Sequence, residues 1–451
     1  MSYDFTTYTT FFSLYYYTLL TMNKRNELFT IIIIAQTFQY VCSFQIFSNK
    51  ATTYNVAASG CKELHGWVQD KNGEWEWEED DPTFSPSVTA VEEPLYSGTE
   101  VKSVATPSLP KGSFRPKQSL GQNFLRDGNT VAKIIKTFVG DATKTIIEND
   151  SSDQIRAVEL GPGAGALTDT LVGTMQDLGA SFQCIEIDPR SIELLAEKHP
   201  SLLLHHMDVM QADYPQMAEK EGGPLSIIGN LPYYITSQIL FALADASHFN
   251  AVRSATVTMQ YEVGQRIVAP TNTKDYGILS VVFQLYADCK LHFKIPPTVF
   301  YPAPKVDSVL IGLHFVGPNV LRQRLSGIEP MELRRVLTAA FQQRRKTLRN
   351  SLKKLLMEVY GGDKEKVDSI LDAEPLPLMK STIEARGKGD KFALSQDLPK
   401  DWASKRPEQL SAGQFVELTR LIFHSDDDEG VENISDQPLG RKVWRKLKHG
   451  V

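Results

Sequence analysis

Four apolar runs follow one another between residues 157 and 234, and each ends on a residue able to meet a ligand. They lie in "AVELGPGAGALTDTLV" (157–172), "FQCIEIDPRSIELLAEK" (182–198), "LLLHHMDVMQADY" (202–214) and "LSIIGNLPYY" (225–234). Their end residues, Gly161, Glu186, Asp208 and Asn230, are separated by 25, 22 and 22 positions. An amphipathic stretch follows each of the first two runs, and "ATVTMQYEVGQRIV" (255–268) reads as a fifth strand and helix. Strands alternating with helices at this spacing imply an α/β fold with a doubly wound parallel sheet. In such sheets ligands bind in the crevice at the carboxyl ends of the strands. All four end residues belong there.

The residue types narrow the ligand. Gly161, Gly163 and Gly165 let backbone approach a ligand closely and open a helix whose first N–H groups are free. Glu186 can accept from ribose hydroxyls, and Asp208 from an adenine amino group. His205 and His206 are adjacent in a strand and so point to opposite faces, which argues against a metal site. The first three strand ends suit a nicotinamide dinucleotide or S-adenosylmethionine equally well. The fourth decides, because nothing nearby manages a hydride, whereas "NLPY" suits methylation of an amine conjugated to a ring. Such a nitrogen is a poor nucleophile, and acceptors on its two N–H bonds favour its more tetrahedral form in the transition state. The Asn230 side-chain oxygen and the Leu231 carbonyl supply them, Pro232 stiffens the loop, and Tyr233 stacks on an unstacked base.

The ordered segments "KQSLGQNFLRD" (117–127), "VELGPGAGALT" (158–168), "IEID" (185–188), "MD" (207–208), "GNLPYYIT" (229–236) and "VFYPAPKVDSVL" (299–310) resemble the small-subunit ribosomal RNA adenine-N6 dimethyltransferases of bacterial and organellar type. The likeness runs from about Lys111 to Phe423. It implies a Rossmann-like class I methyltransferase domain that uses S-adenosylmethionine, followed by a small C-terminal helical domain. Asn123 and Leu125 would close over the methyl donor, with Gly161 near its methionine part, Glu186 on its ribose and Asp208 on its adenine. Asn230 would sit between donor and target, and Phe300 would face the flipped adenine opposite Tyr233. The substrate implied is a pair of adjacent adenosines near the 3′ end of small-subunit RNA in a pre-ribosomal particle, converted to N6,N6-dimethyladenosine by a monomer without metal. The family also has a mitochondrial transcription-factor branch, so a non-catalytic assembly or transcription factor is the alternative. Tyr234 stands where many members carry Asn.

The remaining features concern delivery and grip. Residues 22–47 have a basic start, a short apolar core and small residues at Cys42–Ser43, the layout of a cleavable signal with a core too short to span a bilayer. With Phe44 and a mostly non-acidic stretch behind it, this resembles two-part plastid presequences. The expectation is an organellar protein, plastid rather than mitochondrial, not membrane-embedded, with Met1 or Met22 as its start. The four scattered cysteines form no CxxC pair and fit a reducing compartment. Net charge is −6, yet residues 1–110 hold 6 Lys/Arg against 13 Asp/Glu, so the rest is near neutral and RNA is not excluded. Leu333, Val336, Leu337, Ala340, Phe341, Leu348, Leu352 and Leu355 fall on one face of a helix. Arg344, Arg345, Lys346, Arg349, Lys353 and Lys354 make six of eleven residues basic, with no acid among them, which suits phosphate contacts. Ser411 is placed to cap a closing helix. The expected organisation is 1–43 targeting, 44–110 transit or linker, 111–317 methyltransferase domain, 318–424 helical domain and 425–451 charged tail. Residues 375–400 have little pattern.

Overall fold

The computed structural model describes residues 67–69, 75–77, 106–107, 115–117, 120–149, 154–373, 375 and 397–424. The targeting segment, most of the linker and the charged tail of the sequence analysis lie outside them. Residues 1–91 and 92–451 separate as two units. Within the first, Trp67–Gln69 pairs antiparallel with Trp75–Trp77.

The elements of the second are β1 (Phe124–Leu125), α1 (Gly128–Asn149), β2 (Arg156–Leu160), α2 (Thr168–Asp177), β3 (Ser181–Glu186), α3 (Pro189–Lys198), β4 (Leu203–His206), α4 (Tyr214–Glu221), β5 (Leu225–Asn230), α5 (Thr236–Ser247), β6 (Val252–Gln260), α6 (Tyr261–Val268), α7 (Ile278–Tyr286), β7 (Ala287–Ile295), β8 (Phe300–Tyr301) and β9 (Ser308–Phe315). Helices α8 (Gly317–Leu325), α9 (Pro330–Gln342), α10 (Leu348–Val359), α11 (Lys364–Asp372) and α12 (Ala412–Phe423) follow. Seven strands form one sheet in the order β4-β3-β2-β5-β6-β9-β7. The β2–β3, β2–β5, β3–β4 and β5–β6 pairs are parallel, and β9 runs antiparallel between β6 and β7.

The central strands are apolar through their length because helices cover both faces. All of β2 is buried, as are five of the six residues of β5. On one face α1 packs with Leu171, Ile228 and Leu310; on the other, one apolar cluster runs from Val158 through Leu243 and Phe283 to Leu337 and Phe415. That cluster joins the helical segment to the sheet. An ion pair adds to the join, with the partly exposed Arg334 on α9 donating to both oxygens of the buried Asp245 on α5 at 2.8 Å.

The helical segment differs from the single helix expected across residues 333–355. It is two helices, α9 and α10, with a turn over 343–347. All eight apolar residues named above are buried. The break falls on the polar run between them, where a continuous helix would have to carry Arg344, Arg345 and Lys346 past the core. Thr347 is extended and starts α10 anew. Ser411 caps α12 as its sequence suggests, accepting from the Gln414 amide at 3.2 Å while Gln414 returns a bond to the Ser411 N–H at 2.9 Å.

Candidate active site

The ends of β2, β3, β4 and β5 converge on one cleft, roofed by the arm that precedes α1. Gly161, Gly163, Glu186, Asp208, Asn230, Leu231, Pro232 and Tyr233 line it, together with Asn123, Phe124 and Leu125 of the arm. The glycine turn is held in left-handed backbone, with φ of +66° at Gly161 and +57° at Gly163. A side chain at Gly163 would lie 2.8 Å from the Phe124 ring, whereas nothing stands within 4 Å of the position a Gly161 side chain would take. So Gly163 makes room for the arm, and Gly161 leaves open space on the cleft side.

The amides of Gly161 and Gly163 are already occupied within the protein. The Gly161 amide donates to the Ile185 carbonyl at 2.9 Å, and the Gly163 amide to Glu186 Oε2 at 2.9 Å. Glu186 Oε1 accepts from Ile187 and Asp188 amides at 2.7 and 2.8 Å. Burial pushes the Glu186 carboxyl up against the pull of these three donors. Oε2 has one bond in place and a lone pair left for a hydroxyl. Asp208 Oδ1 accepts from the Met210 amide at 2.8 Å, and its other oxygen has no partner among the described residues. His205 meets Gln183 at 2.6 Å and His206 the Ile187 carbonyl at 3.3 Å, each apart from the other.

The end of β5 is the most informative place. Asn230 Nδ2 donates to the Asn123 carbonyl at 2.8 Å. That carbonyl can only accept, so the amide cannot be reversed, and Oδ1 is fixed on the other side. Oδ1 is buried and has no hydrogen-bond partner. An unsatisfied buried acceptor costs roughly 1–3 kcal/mol, so a position that keeps one marks a place for a donor from outside. Next to it the Leu231 amide is bound to the Thr258 carbonyl at 3.0 Å, and no hydrogen bond among the described residues uses the Leu231 carbonyl. Tyr233 is half-buried, and its hydroxyl meets Ser308 Oγ at 2.7 Å, which anchors the ring. Two acceptors and a fixed ring thus stand on the same cleft that the other three strand ends line.

Comparison with known proteins accords with this geometry. The sequence family described as ribosomal RNA adenine dimethylase matches residues 113–374. The chain belongs to the ribosomal RNA adenine dimethylase family. A small-subunit ribosomal RNA methyltransferase A of Salinibacter ruber is 38% identical over 319 residues, covering 69% of this chain and 87% of that one. Its counterpart in Francisella tularensis is 36% identical over 311 residues, covering 68% and 98%. Among solved structures, a dimethyladenosine transferase from Plasmodium falciparum aligns over 65% of this chain and 95% of its own, with 22% identity and a TM-score of 0.45.

The residues that the dimethylase resemblance added are divided by the structure. Asn123 and Leu125 lie in the arm over the cleft. Phe300 does not line the cleft. Only 2% exposed, it pairs with Leu125 in the β1–β8 ladder and packs with Phe138 and Leu310, so no base faces its ring in this arrangement. Side chains alternate along a strand, and it is Tyr301 that points outward, 45% exposed. Of the basic run, Arg345, Lys346, Lys353 and Lys354 are exposed and Arg344 half-buried, and none of the five has an ion-pair partner among the described residues. Arg349 is different, held inside the domain by Asp372 and the Leu371 carbonyl.

Sequence reading missed three contributors. Asp188 caps α3 and is wholly buried while binding Gln122 Nε2 at 3.0 Å and Arg190 Nη2 at 2.6 Å; Arg190 Nη1 reaches the Arg115 carbonyl at 3.1 Å. Those bonds tie the arm to the sheet, and the Arg190 guanidinium holds the Asp188 carboxyl well below the usual carboxylate range. The "DP" at a helix start signals the cap but not the arm. Ser308, which anchors Tyr233, sits in a quoted motif without a visible reason. Glu159 lines the cleft floor, accepting from Thr168 Oγ1 at 2.7 Å, and burial pushes its carboxyl up to about 8. A lone acid inside an apolar strand was the available clue.

Proposed function

We propose that the protein transfers methyl groups from S-adenosylmethionine to N6 of two adjacent adenosines near the 3′ end of small-subunit ribosomal RNA, within a pre-ribosomal particle. The observation that carries this reading is the buried, partnerless Asn230 Oδ1 beside the Leu231 carbonyl. When bound, S-adenosylmethionine would supply an electrophilic methyl carbon on sulfonium. Glu186 Oε2 and the open oxygen of Asp208 are the acceptors for its ribose hydroxyls and adenine amine. Asn230 Oδ1 and the Leu231 carbonyl would hold the two N–H bonds of the target amine and aim its lone pair, and the Tyr233 ring would stack on the base. No side chain need take the proton before transfer, since the amine nitrogen becomes acidic only once methylated. Catalysis on this reading is positioning and electrostatics.

The test is methyl incorporation into small subunits that lack the modification, read as N6,N6-dimethyladenosine. Transfer that needs S-adenosylmethionine supports the reading. Subunit binding without transfer would make the protein an assembly factor on a methyltransferase fold. We further propose import into an organelle, plastid rather than mitochondrion, from the sequence layout of residues 22–47. Primer extension on small-subunit RNA from each compartment of a knockout would locate the lost modification.

A further inference from the structure

Seven large apolar side chains are exposed among the described residues; two of them, Ile187 and Tyr234, line the cleft, and two more, Tyr301 and Val306, follow the strand that pairs with Phe124 of its lining. Tyr301 ends β8, and Val306 belongs to the loop between β8 and β9. That loop begins where Tyr301 pairs with Phe124 of the arm and ends at Ser308, which holds the Tyr233 hydroxyl. It therefore brackets the rim of the cleft from one side. An apolar concentration at a rim points to a partner surface, and the local charge says which kind.

Arg126 follows the arm, with its amide on the Val299 carbonyl at 2.9 Å beside β8, and Lys305 lies four residues beyond Tyr301. Both side chains are exposed, and neither has an ion-pair partner among the described residues. The neighbouring acids are occupied. Asp127 accepts from the Thr130 amide and hydroxyl at 2.7 and 2.6 Å, and Asp307 pairs with Lys294 at 2.7 Å. What remains is an outward phenol ring, with one uncompensated cation on the strand end that pairs with β8 and another on the loop that leaves it. Single-stranded nucleic acid is bound by that combination, with bases on aromatic faces and backbone on positive charge.

We infer that Tyr301, Arg126 and Lys305 form a second nucleotide subsite at the rim of the cleft. Tyr301 stacks on the base flanking the target adenosine, and the two cations contact the phosphates on either side. This rests on the proposed function and adds to it. With two adjacent adenosines as substrate, the one outside the cleft needs a place, and Tyr301 provides it.

The experiment measures equilibrium binding of unmodified small ribosomal subunits to the full chain, beside calorimetric binding of S-adenosylmethionine. Tyr301→Ala should weaken subunit binding about tenfold, and Tyr301→Phe should restore it, because stacking needs the ring and not the hydroxyl. An Arg126→Ala/Lys305→Ala double variant should weaken it too, lowering the slope of log affinity against log salt by about 1.4 for two lost phosphate contacts. S-adenosylmethionine affinity should hold in all three. Unchanged subunit binding in Tyr301→Ala, or an unchanged salt slope in the double variant, overturns the subsite. Wild-type protein that binds subunits in this Tyr301-dependent way but transfers no methyl would sink the proposed function and leave the subsite standing.

Discussion

In the cleft, Glu186 accepts three backbone bonds, Asn230 Nδ2 is tied to the arm, Tyr233 is tied to Ser308, and one side-chain acceptor, Asn230 Oδ1, is buried without a partner. On the 343–347 turn and the helix behind it the reverse holds, with five cations making no ion pair among the described residues. Polar atoms committed to one another fix a geometry to within a fraction of an ångström; uncommitted charges on flexible stems offer attraction with no fixed register. The first arrangement suits chemistry at one atom. The second suits a polyanion whose sequence it does not read.

That contrast is broken most directly at Asn230. Replacing it by alanine removes the open acceptor together with the Nδ2 bond to the Asn123 carbonyl, and leaves the glycine turn, Glu186 and Asp208 untouched. Methyl transfer to unmodified subunits should fall on the order of 10²–10³-fold, with subunit affinity within a few-fold of wild type. A variant that kept its rate would mean that the orphaned oxygen meets no substrate, and the cleft would lose its claim to precision.

A smaller effect, of the opposite kind, is expected at the turn. Changing Arg344, Arg345 and Lys346 together to alanine should weaken subunit binding about tenfold at low salt and reduce the salt slope by about 2. The rate at saturating subunits and the melting temperature should stay close to wild type, because none of the three has an ion pair to lose. Arg349→Ala sharpens the distinction. Its loss should cost roughly 0.5–1 kcal/mol of stability with little change in salt slope, as for an exposed ion pair within the fold. If the triple variant melts earlier and Arg349→Ala does not, the assignment of free and committed cations is reversed.

How far the sequence could be read follows the same division. Gly161, Glu186, Asp208 and Asn230 were legible because strand ends in a parallel sheet share one rim, so spacing alone places them together. The arm was legible only through resemblance, since the bonds from Gln122 to Asp188 and from Asn123 to Asn230 span 66 and 107 residues and leave no local periodicity. Phe300 was misplaced for a related reason. A motif names residues in order but does not say which side of a two-residue strand faces in, and here packing against Phe138 and Leu310 takes Phe300 inward. The helix break at 343–347 was hidden because the apolar positions before and after it continue the same count. Only the cost of dragging a basic run past the core divides them.

A further prediction, read in pH rather than in rate, concerns Glu159, at the floor of the cleft. Burial raises its carboxyl to about 8 from an ordinary 4.5, and the charges of Glu186 and Asp169 add to the rise, while bonds from Thr168 and Cys184 oppose it. The folded protein therefore holds this proton more tightly than the unfolded chain does. The stabilisation is fully present below pH about 4.5, declines as pH climbs, and is gone once pH passes about 8. Its slope cannot exceed about 1.4 kcal/mol per pH unit for one proton. Glu159→Gln stays neutral at every pH and can still accept from Thr168. Between pH 6 and 8.5 the melting temperature of the wild type should drop while that of the variant stays nearly level. A pH-independent melting temperature in the wild type would place an ionised acid beneath the glycine turn, adding a negative charge to the floor on which the methyl donor must lie.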